Sequence, residues 1–428
     1  MIPLLVVGGG AAGLWAAARA AELGARVVLL EKMPRLGTKV LASGGTRCNL
    51  TTTLGPGDAA RLFGKQGERF LRRALRALPP QAVRERFDSL GVPTVEAPLE
   101  KVFPASDKAR DVRDALVSWA QAGGVEFMME RQLASVEPLA QGAWGLTLAD
   151  GSTLEARRVI LAAGGRSYPK TGTTGDGYRW LRKLGLKLIP CAPALVPLVS
   201  PAEWVAELTG ISLQEVEVRL LDPKGRLVAR RERPVVFTHR GLSGPGAMDL
   251  SAPIASALAA GQAGAWTLQL DCLPAVEREE LRELLIAGAA MAGGPGLLTV
   301  LARGLELTLP KRLFARMAAQ AGLPSSNPPA HSLNKAARHR LIEALKGFQV
   351  PIDGTLGYER AEVTAGGLDL GELDPGSMQL RAHPGLYVCG ELLDLQGPIG
   401  GLNFLSAFAT AEVAAQHASA ALLAEESP

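Results

Sequence analysis

Cysteine is scarce in this chain of 428 residues, and its four copies (Cys48, Cys191, Cys272 and Cys389) are dispersed with no short spacing between any two. That excludes a disulfide framework and a zinc ribbon, and it fits a reducing cytoplasm. The five histidines (His239, His331, His339, His383 and His417) show no metal-ligand spacing, so no metal is expected. A dense basic tract is also missing. The balance of 46 basic and 42 acidic residues is only +4, and the longest cluster, "ARRERP" (Ala229 to Pro234), reads as a solvated hairpin edge. Nucleic acid is therefore not implied as a partner. Unbroken apolar helices are lacking as well. Leu250 to Leu270 and Leu284 to Ala302 carry no charge but are interrupted by Gly and Pro, so no membrane span is expected. Met1 to Ala18 is likewise uncharged, but it has no basic leader and centres on "GGGAAG", which reads as a buried strand and turn.

Glycine, by contrast, is abundant and placed. "PLLVVGGGAAGLWAAARAAELGARVVLLEK" reads as strand, tight turn, helix, strand. Gly8-Gly9-Gly10-Ala11-Ala12-Gly13 matches G-x-G-x-x-G at the strand-to-helix junction. In that pattern Gly8 permits the turn, Gly10 lets backbone approach a pyrophosphate and Gly13 lets helix and strand pack closely. The helix start offers unpaired N–H groups to the phosphates. Glu31, at the end of the second strand, is placed to hold a ribose diol, with Lys32 beside it.

Further along, Gly67 to Gly124 reads as helical, and "VEFMM", "LASVEP", "WGLTLADGSTLEA" and "RRVILAAGG" as strands with a hairpin turn at Asp150-Gly151. Ser212 to Asp271 reads as mostly β and Val276 to Phe348 as helical, before a glycine-rich strand-and-turn style returns near Thr355. The expected organisation is one α/β nucleotide-binding domain interrupted by an insertion. Its first part spans 1–190, a mostly-β segment 191–275, a helical subdomain 276–348, and the C-terminal part of the first domain 349–428.

FAD and NAD share the G-x-G-x-x-G fingerprint, so later segments must separate them. "RRVILAAGG" ends in Ala163-Gly164-Gly165, like the second strand-and-glycine motif of FAD enzymes of the glutathione-reductase type. "LYVCGE", with Gly390-Glu391, is similar to their C-terminal motif. A helix starting near Gly400-Gly401-Leu402-Asn403 would aim its positive end at a flavin ring, where reduction places negative charge.

In order, "VVGGGAAGL", "GTKVLASGGTRCNLT", "GGRSYPKTGTTGDGY", "PALVPL", "FTHRGLSGPG", "EVTAGGL" and "GELLDLQGPIGGLN" resemble the motifs of the aminoacetone-oxidase-like FAD flavoproteins. These are NAD(P)/FAD-dependent oxidoreductases that include a bile-acid reductase flavoprotein. The resemblance runs from Gly8 to Asn403. It implies a Rossmann-like FAD-binding domain of the glutathione-reductase type, with an inserted β-barrel-like segment and a small helical subdomain. It also implies FAD contacts at the Gly8 to Gly13 turn, Glu31, Lys32 and Lys39, and at Ser43, Gly44, Gly45, Arg47, Cys48 and Asn49. The remaining implied contacts are the backbone of Leu133, Gly164 and Gly165, Asp176, Gly390, Glu391, Gly401, Leu402 and Asn403. Thr46 stands where a third glycine is usual, Gln396 where Asp is common, and Leu402-Asn403-Phe404 replaces a commoner Tyr-Asn-Leu.

Two roles are open for the loop around Cys48. A dithiol mechanism needs a second nearby cysteine, and none exists. A lone thiolate would need a cationic neighbour such as Arg47. The glycine pair points instead to a ligand cradle, with Cys48 packing behind it. For catalysis, His239 in "FTHRGLSGPG" is the candidate proton donor or acceptor, or else a hydrogen-bonded residue at a domain junction. Tyr168, Pro169 and Asp394 are further possible ring-side residues. A single G-x-G-x-x-G leaves no separate NAD(P)H domain, so a nicotinamide would dock transiently in the substrate pocket. The expected function is FAD-dependent hydride transfer to or from a small molecule. The alternatives are an NADH-driven reductase of an unsaturated, steroid-like acceptor and a flavin-binding sensor or scaffold without turnover.

Overall fold

The computed structural model describes residues 1–262, 264–306 and 309–426, which fall into two compact units. The first comprises 1–194 and 358–428, the second 195–357.

The first unit is organised on a seven-stranded sheet. Strand Ile2–Val7 lies between Val27–Leu30 and Thr153–Leu161, parallel to both, and Glu126–Met128 extends the sheet beyond Val27–Leu30. Thr153–Leu161 is shared along its length. Its first half pairs antiparallel with Trp144–Leu148, and its last residues pair parallel with Leu386–Val388. A strand from the end of the chain thereby enters the sheet beside the strand that carries the second glycine pair. Leu4, Leu5, Val6, Val159, Ile160 and Leu161 are buried, as parallel strands covered on both faces require.

Helices Ala11–Glu22 and Leu402–Glu426 pack on each other. Polar groups tie them together: Trp15 Nε1 donates to Glu412 Oε2 at 2.8 Å, and Arg19 Nε lies 2.7 Å from Glu412 Oε1. The Trp15 ring also stacks near Phe408, with centroids 4.8 Å apart, and edge-on to Trp119 at 5.2 Å.

The second unit holds, among the described residues, two antiparallel sheets, of five and four strands, and a set of helices that includes those at 278–289, 297–305, 311–320 and 335–346. These share one core that includes Val218, Leu268, Phe314, Leu345 and Phe348. The strands and helices read separately from the sequence are thus one body. Strand Phe348–Ile352 belongs to it, because it pairs with Trp266–Asp271, so the boundary lies at 357/358 and not 348/349.

Two local readings are corrected. Thr94–Ala97 and Lys101–Pro104 form a hairpin inside the stretch read as helical, where Pro93 and the Leu99-Glu100 turn, both residues at positive φ, break helical periodicity. Conversely, Pro245–Met248 and Ser251–Ala259 are helices inside the stretch read as β. Pro245 at the first helical position after Gly244 starts the first of them.

Candidate active site

The site begins at the first turn of the first unit. Gly8 has φ +104°, and a Cβ there would lie 2.5 Å from the Ala162 carbonyl oxygen. A Cβ on Gly13 would lie 1.7 Å from the Gly8 oxygen, so only glycine allows the helix to sit this close to the strand. At Gly10 a Cβ would meet nothing within 4 Å, which leaves the turn open on its outer side. The helix Ala11–Glu22 starts there with no side-chain cap, so its first N–H groups are free for an anion. Glu31 braces the turn, accepting from the Gly9 N–H at 2.6 Å and the Met33 N–H at 2.7 Å. Each carboxylate oxygen keeps a lone pair for a further donor. The segment leading to Leu133 is tied to the same place, because the Arg131 N–H donates to the Glu31 carbonyl at 2.9 Å.

Residues far apart in sequence meet here in two ion pairs. Lys32 Nζ lies 2.6 Å from Asp176 Oδ2 and donates to Thr174 Oγ1 at 2.7 Å. Burial alone would raise the Asp176 carboxyl. Hydrogen bonds from Lys32 and Thr174, with the charges of Lys32 and Arg179, outweigh it and hold the group below the usual carboxylate range. Lys39 Nζ lies 2.5 Å from Glu391 Oε2 and donates to Ser167 Oγ at 2.6 Å. Glu391 Oε1 also accepts from Ser167 Oγ and from the Thr364 N–H, both at 2.8 Å. Thr364 Oγ1 in turn accepts from the Arg166 N–H at 2.8 Å. Tyr178 Oη donates to the Glu391 carbonyl at 3.0 Å, and its burial pushes the phenol well above its ordinary value.

The glycines join the same cluster. A Cβ on Gly165 would strike Thr364 and Glu391, and one on Gly390 would lie 2.8 Å from the Ala12 Cβ. The C-terminal motif therefore sits against the first helix of the dinucleotide turn. Ser167, Thr364 and Tyr178 were absent from the expected site residues. The motifs around them were visible, but nothing in a serine announces that it will bind a carboxylate more than two hundred residues away.

The loop from Ser43 to Asn49 is a left-handed turn. Gly44 and Gly45 have φ of 54° and 67°, and Thr46 and Cys48 are also at positive φ. Gly44 through Arg47 are exposed while Cys48 is fully buried. Burial pushes the Cys48 thiol up to about 12, against a weak opposing hydrogen bond from Ser43. Arg47 turns instead to Asp107 at 2.5 Å and stacks on the Phe103 ring at 4.1 Å. The cysteine packs, and the reactive-thiol alternative has no support. Asn49 Oδ1 accepts from the Val102 N–H at 3.1 Å.

The last helix starts at Leu402. Gly401, at φ +79°, lies so close to Thr51 that a Cβ would be 1.9 Å from its carbonyl oxygen. Asn403 clamps the preceding loop, its Oδ1 accepting from the Gly397 N–H at 2.9 Å and its Nδ2 donating to the Gly397 carbonyl at 3.0 Å. Beside this helix start, Thr51 Oγ1 and Gln396 Oε1 are buried with no protein partner. His239 lies in the second unit, exposed at the tip between strands Val235–Thr238 and Gly241–Ser243.

An open, uncapped helix start, a braced acidic residue and two orphaned polar atoms at a second helix start fit a long dinucleotide. Gly8 to Gly13 and Glu31 would hold its adenosine and phosphates. Lys39, Glu391 and the Gly401–Asn403 turn would hold its other half.

Residues 2–417 match the family model described as "HI0933-like protein Rossmann domain". The chain belongs to the HI0933-like family. This is a family of FAD-dependent oxidoreductases, and FAD is its cofactor, in agreement with the resemblance read from the motifs. Among curated relatives, the HI0933-like chain is 32% identical to the ribosomal RNA dihydrouridine synthase of Escherichia coli, over 97% of this chain and 98% of the relative. It is 33% identical to the 3-dehydro-bile acid delta(4,6)-reductase of Clostridium scindens, over 97% and 98%. Among solved structures, the 3-ketosteroid-delta4-(5alpha)-dehydrogenase of Rhodococcus jostii RHA1 superposes with a TM-score of 0.52 at 16% identity, covering 97% of this chain and 96% of that one. This last likeness concerns the fold. Among the described residues no helix is long and apolar enough to cross a membrane, and no cluster suits a metal ion.

Proposed function

We propose that this HI0933-like flavoprotein is a reductase that saturates a carbon–carbon double bond conjugated to a carbonyl group, with a nicotinamide as the reductant of its flavin. One observation carries the reading: its two full-length relatives of nearly equal identity carry names for very different molecules but one chemistry. Making dihydrouridine adds two hydrogens across a uracil double bond beside a carbonyl. A delta(4,6)-reductase of a 3-oxo bile acid does the same in a steroid. In both, a hydride goes to the far carbon, a proton to the near one, and negative charge builds on the carbonyl oxygen in between.

Bound FAD supplies the hydride. The chain's residues do the rest. The Gly8 to Gly13 turn and the uncapped helix behind it hold the diphosphate. Lys39, fixed by Ser167 and Glu391, places one positive charge at the inner end of the cradle. The start of the last helix turns its positive end to the same site and would favour the charge a reduced flavin carries. His239 is the candidate donor of the proton. The acceptor is a uracil ring within RNA or a steroid-like enone.

Steady-state turnover tests this. NADH oxidation should be slow alone and rise at least tenfold when an enone steroid or a uridine-containing RNA is added under nitrogen. His239→Gln should lower that rise without slowing flavin bleaching by NADH. Oxygen consumption driven by a small amine, with no response to either acceptor, would contradict the proposal and support the oxidase alternative.

A further inference from the structure

We infer that the exposed face of the helix Gly64–Ala77 is a docking surface for an RNA backbone, which would make RNA the acceptor-bearing partner of the reductase proposed above. The helix contains five basic residues (Lys65, Arg69, Arg72, Arg73 and Arg76) against the single acid Glu68. That is a net of +4, equal to the net charge of the whole chain, so the rest of the molecule together is neutral. The basic excess of this protein is located in one helix.

Its placement follows the helical period. Lys65, Arg69, Arg72 and Arg76 recur at four- and three-residue steps, and all are exposed. The row covers about 16 Å at 1.5 Å per residue, on the scale of several successive phosphates on one strand. Its charge is not consumed internally. Arg72 makes only a loose pair with Glu68 at 3.5 Å, and Lys65, Arg69 and Arg76 make no ion pair among the described residues. Repulsion along such a row costs stability in the isolated protein, a cost that a polyanion would remove.

The opposite face determines what kind of polyanion fits. Phe70, Leu71, Ala74 and Leu75 are buried, so the helix has no apolar stripe left to enter a lipid surface. The helix is also attached to the site. Phe63, just before it, packs where a Cβ on Gly397 would be 3.0 Å from its ring, and a Cβ on Gly67 would be 3.3 Å from Leu395. Leu395 to Gly397 is the loop that Asn403 clamps at the start of the last helix. A strand tracked along the basic row is thus led toward the end of the cradle where that helix begins. A single carboxylate on a steroid would have no use for a row of this length.

The test uses the purified flavoprotein with its FAD and a fluorescent uridine-rich RNA stem-loop, read by anisotropy over a salt series. The wild type should bind with strong salt dependence. The triple variant Lys65→Glu, Arg69→Glu, Arg76→Glu should bind at least tenfold more weakly, with a log–log salt slope shallower by about 2 to 3. A variant of equal charge change in the second unit, Lys224→Glu, Lys311→Glu, Lys335→Glu, should stay within twofold of wild type, and flavin absorbance shows that each variant is folded and loaded. Absence of binding by the wild type, or equal losses in the two variants, overturns the inference. So does equal or tighter binding of poly-glutamate of matched charge, which would indicate an acidic protein partner. The reductase reading is judged separately: if a small enone still reoxidises the reduced flavin while RNA does not bind, the docking surface fails alone.

Discussion

At the scale of single residues, the cradle depends on positions where a side chain has no room or a charge has one specific partner. Gly13 is the strictest of the first kind, since a Cβ there would lie 1.7 Å from the Gly8 carbonyl oxygen, a backbone atom that cannot move aside. Gly13→Ala is expected to cost on the order of 3 kcal/mol locally and to leave the purified protein with little flavin, measured as the ratio of visible to ultraviolet absorbance. Asp176 represents the second kind. Its carboxyl is held below its unfolded value, so its pairing with Lys32 stabilises the fold above about pH 4 and the contribution is lost as pH falls through the lower folded value. Asp176→Asn should therefore cost about 1 to 2 kcal/mol at neutral pH, with the difference from wild type closing in acid. Urea unfolding at a series of pH values checks this, and a constant difference across the series would contradict it. Residues of the first kind were legible in the sequence because glycine spacing encodes backbone geometry directly. Lys32, Lys39, Asp176 and Glu391 stood out as candidate site residues through family motifs. That they would pair, Lys32 with Asp176 and Lys39 with Glu391, was not legible, because pairing depends on how distant segments are brought together.

Among elements, the parallel strands and the first helix could be read from apolar runs and turn residues, and they occupy the expected places. The hairpin Thr94–Pro104 and the helices within 245–259 could not, because elements this short take their form from neighbouring pairings and not from periodicity. The basic helix Gly64–Ala77 illustrates a different limit. A search for contiguous runs of like charge passes over it, since its basic residues are separated by the buried side chains of the other face. The helix 335–346 supplies a prediction of its own. Lys346 is buried, 2.8 Å from the equally buried Asp271, and donates to the carbonyls of Leu273 and Val276 at 2.7 Å. Lys346→Met would leave Asp271 as a buried charge without this partner and should cost about 3 to 5 kcal/mol. Thermal unfolding should show the loss. A variant as stable as wild type would mean that the pair is not buried in solution as it is here.

For the molecule as a whole, the first unit is assembled from both ends of the chain: Leu386–Val388 enters the sheet beside Thr153–Leu161, and Leu402–Glu426 packs on the helix that follows the glycine turn. This arrangement brings together segments almost four hundred residues apart that are proposed to hold the two ends of one FAD, and their meeting was foreseeable because both carry glycine-rich strand-and-turn motifs. A steroid-like acceptor was among the readings of the sequence and RNA was not, since a polar exposed histidine and a few ring-side candidates do not encode a substrate's shape. The reductase account can be decided by a single anaerobic turnover in D2O. Protein with chemically reduced FAD is mixed with one equivalent of an acceptor bearing a conjugated double bond, and the product is analysed by mass spectrometry. The account predicts full return of the oxidised flavin spectrum together with a product carrying two deuteriums across the former double bond. A flavin that stays reduced beside unchanged acceptor, for both the uridine-containing RNA and the enone steroid, would contradict it.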